Sequence, residues 1–314
     1  MKKSESIKTV AIIMGFYNGK KFIFEQLNSI ISQSYKEFKI FIFDDQSNEK
    51  ITQSELISYK ENFSKISIIE RKSNFGYANN FLQGLKDVGS GFDYYAFSDQ
   101  DDIWEKNKLE IGLKKIQELN SQNSVLYCSR TSYFDNDSMN EIGSSRNFTK
   151  LPEFKNALIQ NIAGGNTILI NNKARNLIVN SLISDKFISH DWWCYLLISA
   201  AGGNIIFDTT KTLRYRQHGG NLIGGNHKLK DRIFRFKRFF LGNFKEWTDV
   251  NISNLLKNKN LIKKENLRTL QKFIDARNSN NIFHKIILYK NSGVFRQSFL
   301  ENLIFIIGVI LNKI

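Results

Sequence analysis

Residues 94–104 read YYAFSDQDDIW. Tyr94-Tyr95-Ala96-Phe97 is a short apolar run of the kind that forms a strand buried on both faces, and it leads straight into Ser98-Asp99-Gln100-Asp101-Asp102. Upstream the arrangement recurs three times. Residues 10–14, 40–43 and 66–70 read as strands, and 22–31, 52–62 and 79–88 as amphipathic helices between them. This βαβαβαβ series predicts an α/β fold with a mostly parallel sheet, helices on both faces and a ligand crevice beyond the carboxyl ends of the strands. The polar residues after each strand therefore carry the interest: Tyr17-Asn18-Gly19, Asp44-Asp45-Gln46-Ser47, Asn74-Phe75-Gly76-Tyr77 and the acidic loop itself.

Three carboxylates within four residues repel one another unless a cation or donor hydrogens sit among them. A hard divalent ion, Mg²⁺ or Mn²⁺, held by one or two carboxylates with substrate phosphate and water, would relieve that repulsion. A solvated acidic turn, with Asp102 as N-cap of a helix starting near Trp104, accounts for the residues equally well. Asp44-Asp45 adds an acidic pair at a neighbouring strand end that could accept hydrogen bonds from a ribose or a base, although Asp there is also a common turn former. Neither GxGxxG nor GxxxxGK[ST] occurs, so a phosphate must be held by other means.

Beyond residue 124 the pattern loosens into a strand at 125–134, a polar loop at 135–150, strands at 166–170, 205–207 and 213–216, and a helix at 191–201. Trp192 and Trp193 share helical spacing with Leu196 and Leu197, which suits core packing better than a sugar platform. The 314 residues are 41% hydrophobic, a globular rather than disordered composition, and Cys128 and Cys194 form no CxxC or disulfide framework, so a reducing cytoplasm is expected. MKKSESIKTV lacks the apolar stretch of a secretory signal.

Of the net charge of +15, residues 226–314 carry 18 Lys and Arg against six Asp and Glu, which leaves 1–225 almost neutral. Two units are expected, a catalytic domain at 1–225 and a basic, mainly helical region at 226–314. In the second, KLKDRIFRFKRFFL at 228–241 would set Leu229, Ile233, Phe236 and Phe240 on one helical face among six cations. That reads either as an interfacial helix on anionic lipid or as a packed helix with a solvated basic side. The apolar run 303–311 is too short to span a bilayer, and it would dip into one leaflet or pack an oligomer. Nucleic acid is not expected, since no recognition motif accompanies the charge.

In order along the chain, Tyr17-Asn18-Gly19, Glu25-Gln26-Leu27 with Ser29-Ile30, Asp44-Asp45-Gln46-Ser47, Asn74-Phe75-Gly76, Ser98 to Trp104, His190-Asp191-Trp192-Trp193 and Tyr215-Arg216-Gln217-His218 resemble the inverting family 2 glycosyltransferases of GT-A fold, rhamnosyltransferase-like branch. The resemblance covers roughly 8–225 and implies transfer of a sugar, rhamnose among the candidates, from a nucleotide diphosphate sugar to a surface polysaccharide or lipid-linked oligosaccharide. It implies nucleotide-sugar contacts at Tyr17, Asn18, Asp44, Asn74, Gly76 and Asp99, a metal at Asp101, Asp99 and His218, and Asp191 as catalytic base. Asp191 also suits a helix N-cap. On the acceptor side it implies Asn166, His190 and Trp192, with a tight turn or ordinary packing as the plainer account of each. Gly15-Phe16 and Lys20 depart from the branch's usual pattern near the base contact. A glucosyl, galactosyl or N-acetylhexosaminyl transferase, and a non-catalytic sugar-nucleotide or membrane-binding module, are the alternatives. The expected location is cytoplasmic, peripheral on the inner face of the cytoplasmic membrane.

Overall fold

The computed structural model describes residues 7–57, 60–184, 186–218 and 243–314. The first half alternates as its sequence predicts: β1 (Val10–Phe16), α1 (Lys20–Ile31), β2 (Phe38–Asp44), α2 (Gln53–Ile57), β3 (Ile66–Glu70), α3 (Tyr77–Asp87) and β4 (Tyr94–Ser98). The helix expected over 52–62 is shorter. Thr52 and Glu55 bond reciprocally at the start of α2, and a 3₁₀ segment, Lys60–Lys65, completes the crossover. After β4 come β5 (Ile103–Trp104), α4 (Lys108–Glu118), β6 (Val125–Asp135), β7 (Glu141–Ser144), α5 (Phe154–Ala157), β8 (Leu169–Asn171), α6 (Asn172–Asn180), α7 (His190–Ala200) and β9 (Asn204–Gln217).

The sheet runs β3-β2-β1-β4-β8-β6-β9-β5, with β7 on β6. Strands β3, β2, β1 and β4 are mutually parallel, and β8 is antiparallel to both β4 and β6. Strand order reverses at β1, whose neighbours β2 and β4 diverge to either side, so a crevice opens at their carboxyl ends. Alternation along β1 supplies both cores: Ala11 and Ile13 face α3, α6 and α7, while Val10, Ile12 and Met14 face α1 and α4.

Three local expectations are corrected. Ile103 and Trp104 start no helix. Their backbone pairs with Arg214 and Leu213 of β9, and α4 begins at Lys108 after Asn107, so Asp102 is not an N-cap. The strand expected over 166–170 is a 3₁₀ turn, Gly165–Thr167, followed by β8. The two strands expected over 205–216 are one, β9, whose register against β6 slips beside Ser129 and Arg130, where Asp208 Oδ1 accepts the Thr210 N–H at 2.9 Å.

Helices α8 (Asn243–Lys257), α9 (Lys264–Asn278), α10 (Ile282–Ser292) and α11 (Phe299–Ile310) close the chain. Phe244, Leu255, Phe273, Tyr289 and Phe305 join the same apolar core as Trp193 and Leu197 of α7. Buried asparagines tie the junction. Asn254 and Asn258 donate to the carbonyls of Lys186 and Ser181 at 2.9 and 3.1 Å. The basic stretch 228–241 lies outside the described residues.

Candidate active site

A cleft of about 870 Å³ opens at the carboxyl ends of β1 and β4, roomy enough for a nucleotide sugar. Its walls include Tyr17, Asn74, Gly76, Asp99, Asp101, Asn166, His190 and Asp191, so eight of the twelve residues expected at the site converge there. The other four, Asn18, Asp44, Trp192 and His218, do not line it.

The acidic loop is built from beneath. The Gln26 amide on α1 lies 2.8 Å from Ser98 Oγ, and Ser29 Oγ accepts the Trp104 N–H at 3.0 Å. Gln100 turns back to bracket Tyr17, accepting its N–H at 2.8 Å and donating to its carbonyl at 3.1 Å. Arg216, buried between the Phe22 and Phe134 rings, donates to the Asp101 carbonyl at 2.8 Å and pairs with Glu25. Helix α1 and strand β9 thus fix the loop from two sides, which explains why Glu25-Gln26 and Tyr215-Arg216 accompany it in the sequence.

The carboxylates crowd as their spacing suggests. Burial, then the charges of Asp101 and Asp191, push the Asp99 carboxyl up to about 7. Burial and the charges of Asp99 and Asp101 also raise Asp102, whose Oδ2 accepts from Asn166 at 2.6 Å while its buried Oδ1 has no partner among the described residues. Asn166 therefore braces the loop. Lys108, buried over the Trp104 ring, is brought down to about 7 by desolvation, against the pull of Asp102.

His218 Nε2 lies 2.9 Å from Asp101 Oδ2, a carboxylate-imidazole pair beside the cleft. Among the described residues no three His, Cys, Asp or Glu side chains cluster to hold an ion. Asp99 and Asp101 both line the cleft and His218 stands against Asp101, so the three expected residues lie along one loop and its neighbour. Excess negative charge and carboxylate oxygens fit a divalent ion whose remaining ligands come from phosphate and water.

The acidic residue after β2 that faces the cleft is Asp45, not Asp44. Asp44 Oδ1 accepts the Ser47 N–H at 2.8 Å, and Asp45 takes the N–H groups of Phe75 and Gly76 at 2.7 and 2.9 Å. Asn18, with φ of 49°, ties two loops together: its N–H bonds Ser47 Oγ, and its Oδ1 accepts from Asn48. Gly76, with φ of 73° at the head of α3, occupies backbone space that favours glycine.

Helix α7 is capped by Ser189, whose Oγ accepts the Trp192 N–H, and Asp191 stands in its first turn at the cleft wall. Trp192 is corrected to a core residue, its Nε1 donating to the Ala157 carbonyl at 2.7 Å. His190 is stacked on Phe81 with ring centroids 4.2 Å apart, and neither ring nitrogen has a partner among the described residues. Burial pushes its pKa down to about 4, against the opposing charge of Asp191. The unfolded chain therefore binds the proton near pH 6.5 and the native state does not until near 4, so stability falls as pH drops through that window. The expected cost is about 3 kcal/mol on full protonation of the unfolded group. Thermal melts at pH 7 and 4.5 should show a smaller acid loss in His190→Phe than in the native chain; equal losses would contradict this.

Sequence reading gave Gln100 no role and missed the far wall, where Tyr133, Arg146 and Phe148 line the cleft. Arg146 lies in what reads as a polar loop, and only the fold pairs it with Glu301 of α11. No local signal marks that contact.

Residues 11–176 match the profile of Glycosyl transferase family 2, more than half of the chain. The chain belongs to that family. It is a glycosyltransferase, and its fold is the GT-A fold expected. It is 32% identical over 234 residues to the dTDP-rhamnosyl transferase RfbG of Shigella flexneri, covering 71% of this chain and 77% of that one. Its structure is similar to that of S. aureus TarS 1–349 in complex with UDP-GlcNAc, at a TM-score of 0.53 and 16% identity, covering 78% of this chain and 66% of that one. It is also similar to the mannosyltransferase PcManGT of Pyrobaculum calidifontis in complex with GDP-Man and Mn²⁺, at a TM-score of 0.50 and 14% identity, covering 98% and 86%.

Proposed function

We propose that this family 2 glycosyltransferase moves a sugar with inversion from a nucleotide diphosphate sugar, rhamnosyl by its likeness to RfbG, to a hydroxyl of a surface polysaccharide or lipid-linked oligosaccharide. The observation that carries the reading is Asp191, a carboxylate in the same cleft as Asp99 and Asp101, in the first turn of a helix whose N-cap is Ser189. The acceptor hydroxyl attacks the anomeric carbon, its proton passes to Asp191 and the bond to the diphosphate oxygen breaks. Asp99, Asp101 and His218 would hold Mg²⁺ or Mn²⁺, which when bound supplies positive charge to the departing diphosphate. Asp45, Asn74 and Tyr17 border the side expected to take the nucleoside.

Residues 1–225 are read as the donor-binding and catalytic unit, and 226–314 as the part that meets the acceptor's surroundings. Among the described residues no helix is long and apolar enough to cross a membrane. We read a lipid-linked acceptor as reached from the membrane's inner face. The test is a panel of dTDP-rhamnose, UDP-GlcNAc and GDP-mannose with purified protein and Mn²⁺, reading bound donor and released nucleoside diphosphate. Binding confined to dTDP-rhamnose supports the rhamnosyl reading, and preference for another donor replaces it.

A further inference from the structure

Helix α11 turns Phe299, Leu300, Leu303, Ile306, Ile307, Ile310 and Leu311 toward solvent, Phe299 being 85% exposed. At 100° per residue these seven side chains fall within a stripe about 140° wide that contains no polar residue. The opposite side, Phe305, Gly308 and Val309, is buried in the core. α10 packs alongside α11, with Tyr289 against Phe305 and Lys285 bonded to Asn312, and it adds exposed Phe283 and Ile287. So much uninterrupted apolar surface on one element is costly in water unless something covers it.

Charge says what covers it. Side chains immersed at a bilayer surface are covered on all sides. The described C-terminal residues 243–314 hold 12 Lys and Arg against five Asp and Glu, with exposed Lys290 and Lys313 on α10 and just past α11. That balance suits an anionic lipid surface. The same helix reaches the cleft: Glu301 in its first turn pairs with Arg146 on the cleft wall and accepts from Gln160 Nε2 at 3.1 Å.

We infer that the outer face of α11, with Phe283 and Ile287 of α10, docks on an anionic phospholipid bilayer, so that the cleft wall carrying Arg146 lies one helix thickness from the membrane. This deepens the proposed function by naming the surface through which a lipid-linked acceptor would be met, and to that extent it rests on it.

The experiment uses the full chain and the double variant Leu303→Ser/Ile307→Ser, both positions being exposed and outside the cleft. Sedimentation with phosphatidylcholine vesicles, with and without phosphatidylglycerol, measures binding. Sedimentation equilibrium without lipid measures the oligomeric state, and donor titration measures the cleft independently. The native chain should bind anionic vesicles, more weakly as salt rises, and the variant should bind roughly 10-fold less with donor affinity unchanged. No binding by the native chain, or equal binding by the variant, overturns the inference. A native dimer that the variant dissolves overturns it too and gives the face to a second copy. If donor binding fails in both proteins while vesicle binding differs, the transferase reading is at fault and the membrane face stands.

Discussion

Asp191→Asn is expected to lower sugar transfer by roughly 10²–10⁴-fold, the usual range for loss of a general base. The substitution keeps shape and an accepting oxygen, but an amide cannot take the acceptor's proton. Folding should survive, because the N-cap of α7 belongs to Ser189 and not to Asp191. An Asn side chain can still accept the Trp192 N–H that Asp191 Oδ1 receives at 2.6 Å. The measurements are turnover on the best donor, donor affinity by calorimetry and the melting temperature. The expected result is lost turnover with the other two held. Near-native turnover would move the base elsewhere, and lost folding would return Asp191 to a structural role.

Asp101→Ala is expected to weaken donor binding and turnover together, by about 100-fold in affinity, because a metal site that loses a carboxylate ligand holds its ion poorly. Arg216 grips the Asp101 main-chain carbonyl, so the loop should keep its path when the side chain is removed. His218 would lose its carboxylate partner. Calorimetry of nucleoside diphosphate with and without Mn²⁺ separates the outcomes: the native chain should bind more tightly with metal, and the variant should lose that difference. Binding that is metal-independent in the native chain removes the ion from the mechanism.

The αβ alternation through residue 98 was legible because each buried strand must be apolar throughout and each covering helix must be apolar on one side. The acidic loop was legible as a site for a chemical reason, since three adjacent carboxylates are costly wherever they are partly buried. Which carboxylate faces the cleft was not legible. Asp44 and Asp45 differ by one residue, and only the register of β2 against β1, with Asp44 opposite Phe16, decides that the second emerges there. The helix expected at Trp104 failed for a similar reason: its local pattern is ambiguous, and pairing with β9, more than 100 residues away, decides in favour of a strand.

The sequence by itself determined the sheet's parallel half, the crevice at its strand ends and the crowded acidic loop beside it, because periodicity and charge crowding are local properties; the His-Asp and Arg-Gln-His segments were expected there only from the family resemblance. The tertiary structure alone decided that Ser189 is the N-cap of α7, that Asn166 and Arg216 brace the acidic loop, and that Arg146 on the cleft wall pairs with Glu301. Each depends on contacts between residues far apart in the chain, where packing and hydrogen-bond satisfaction choose among conformations that the local sequence leaves nearly equal.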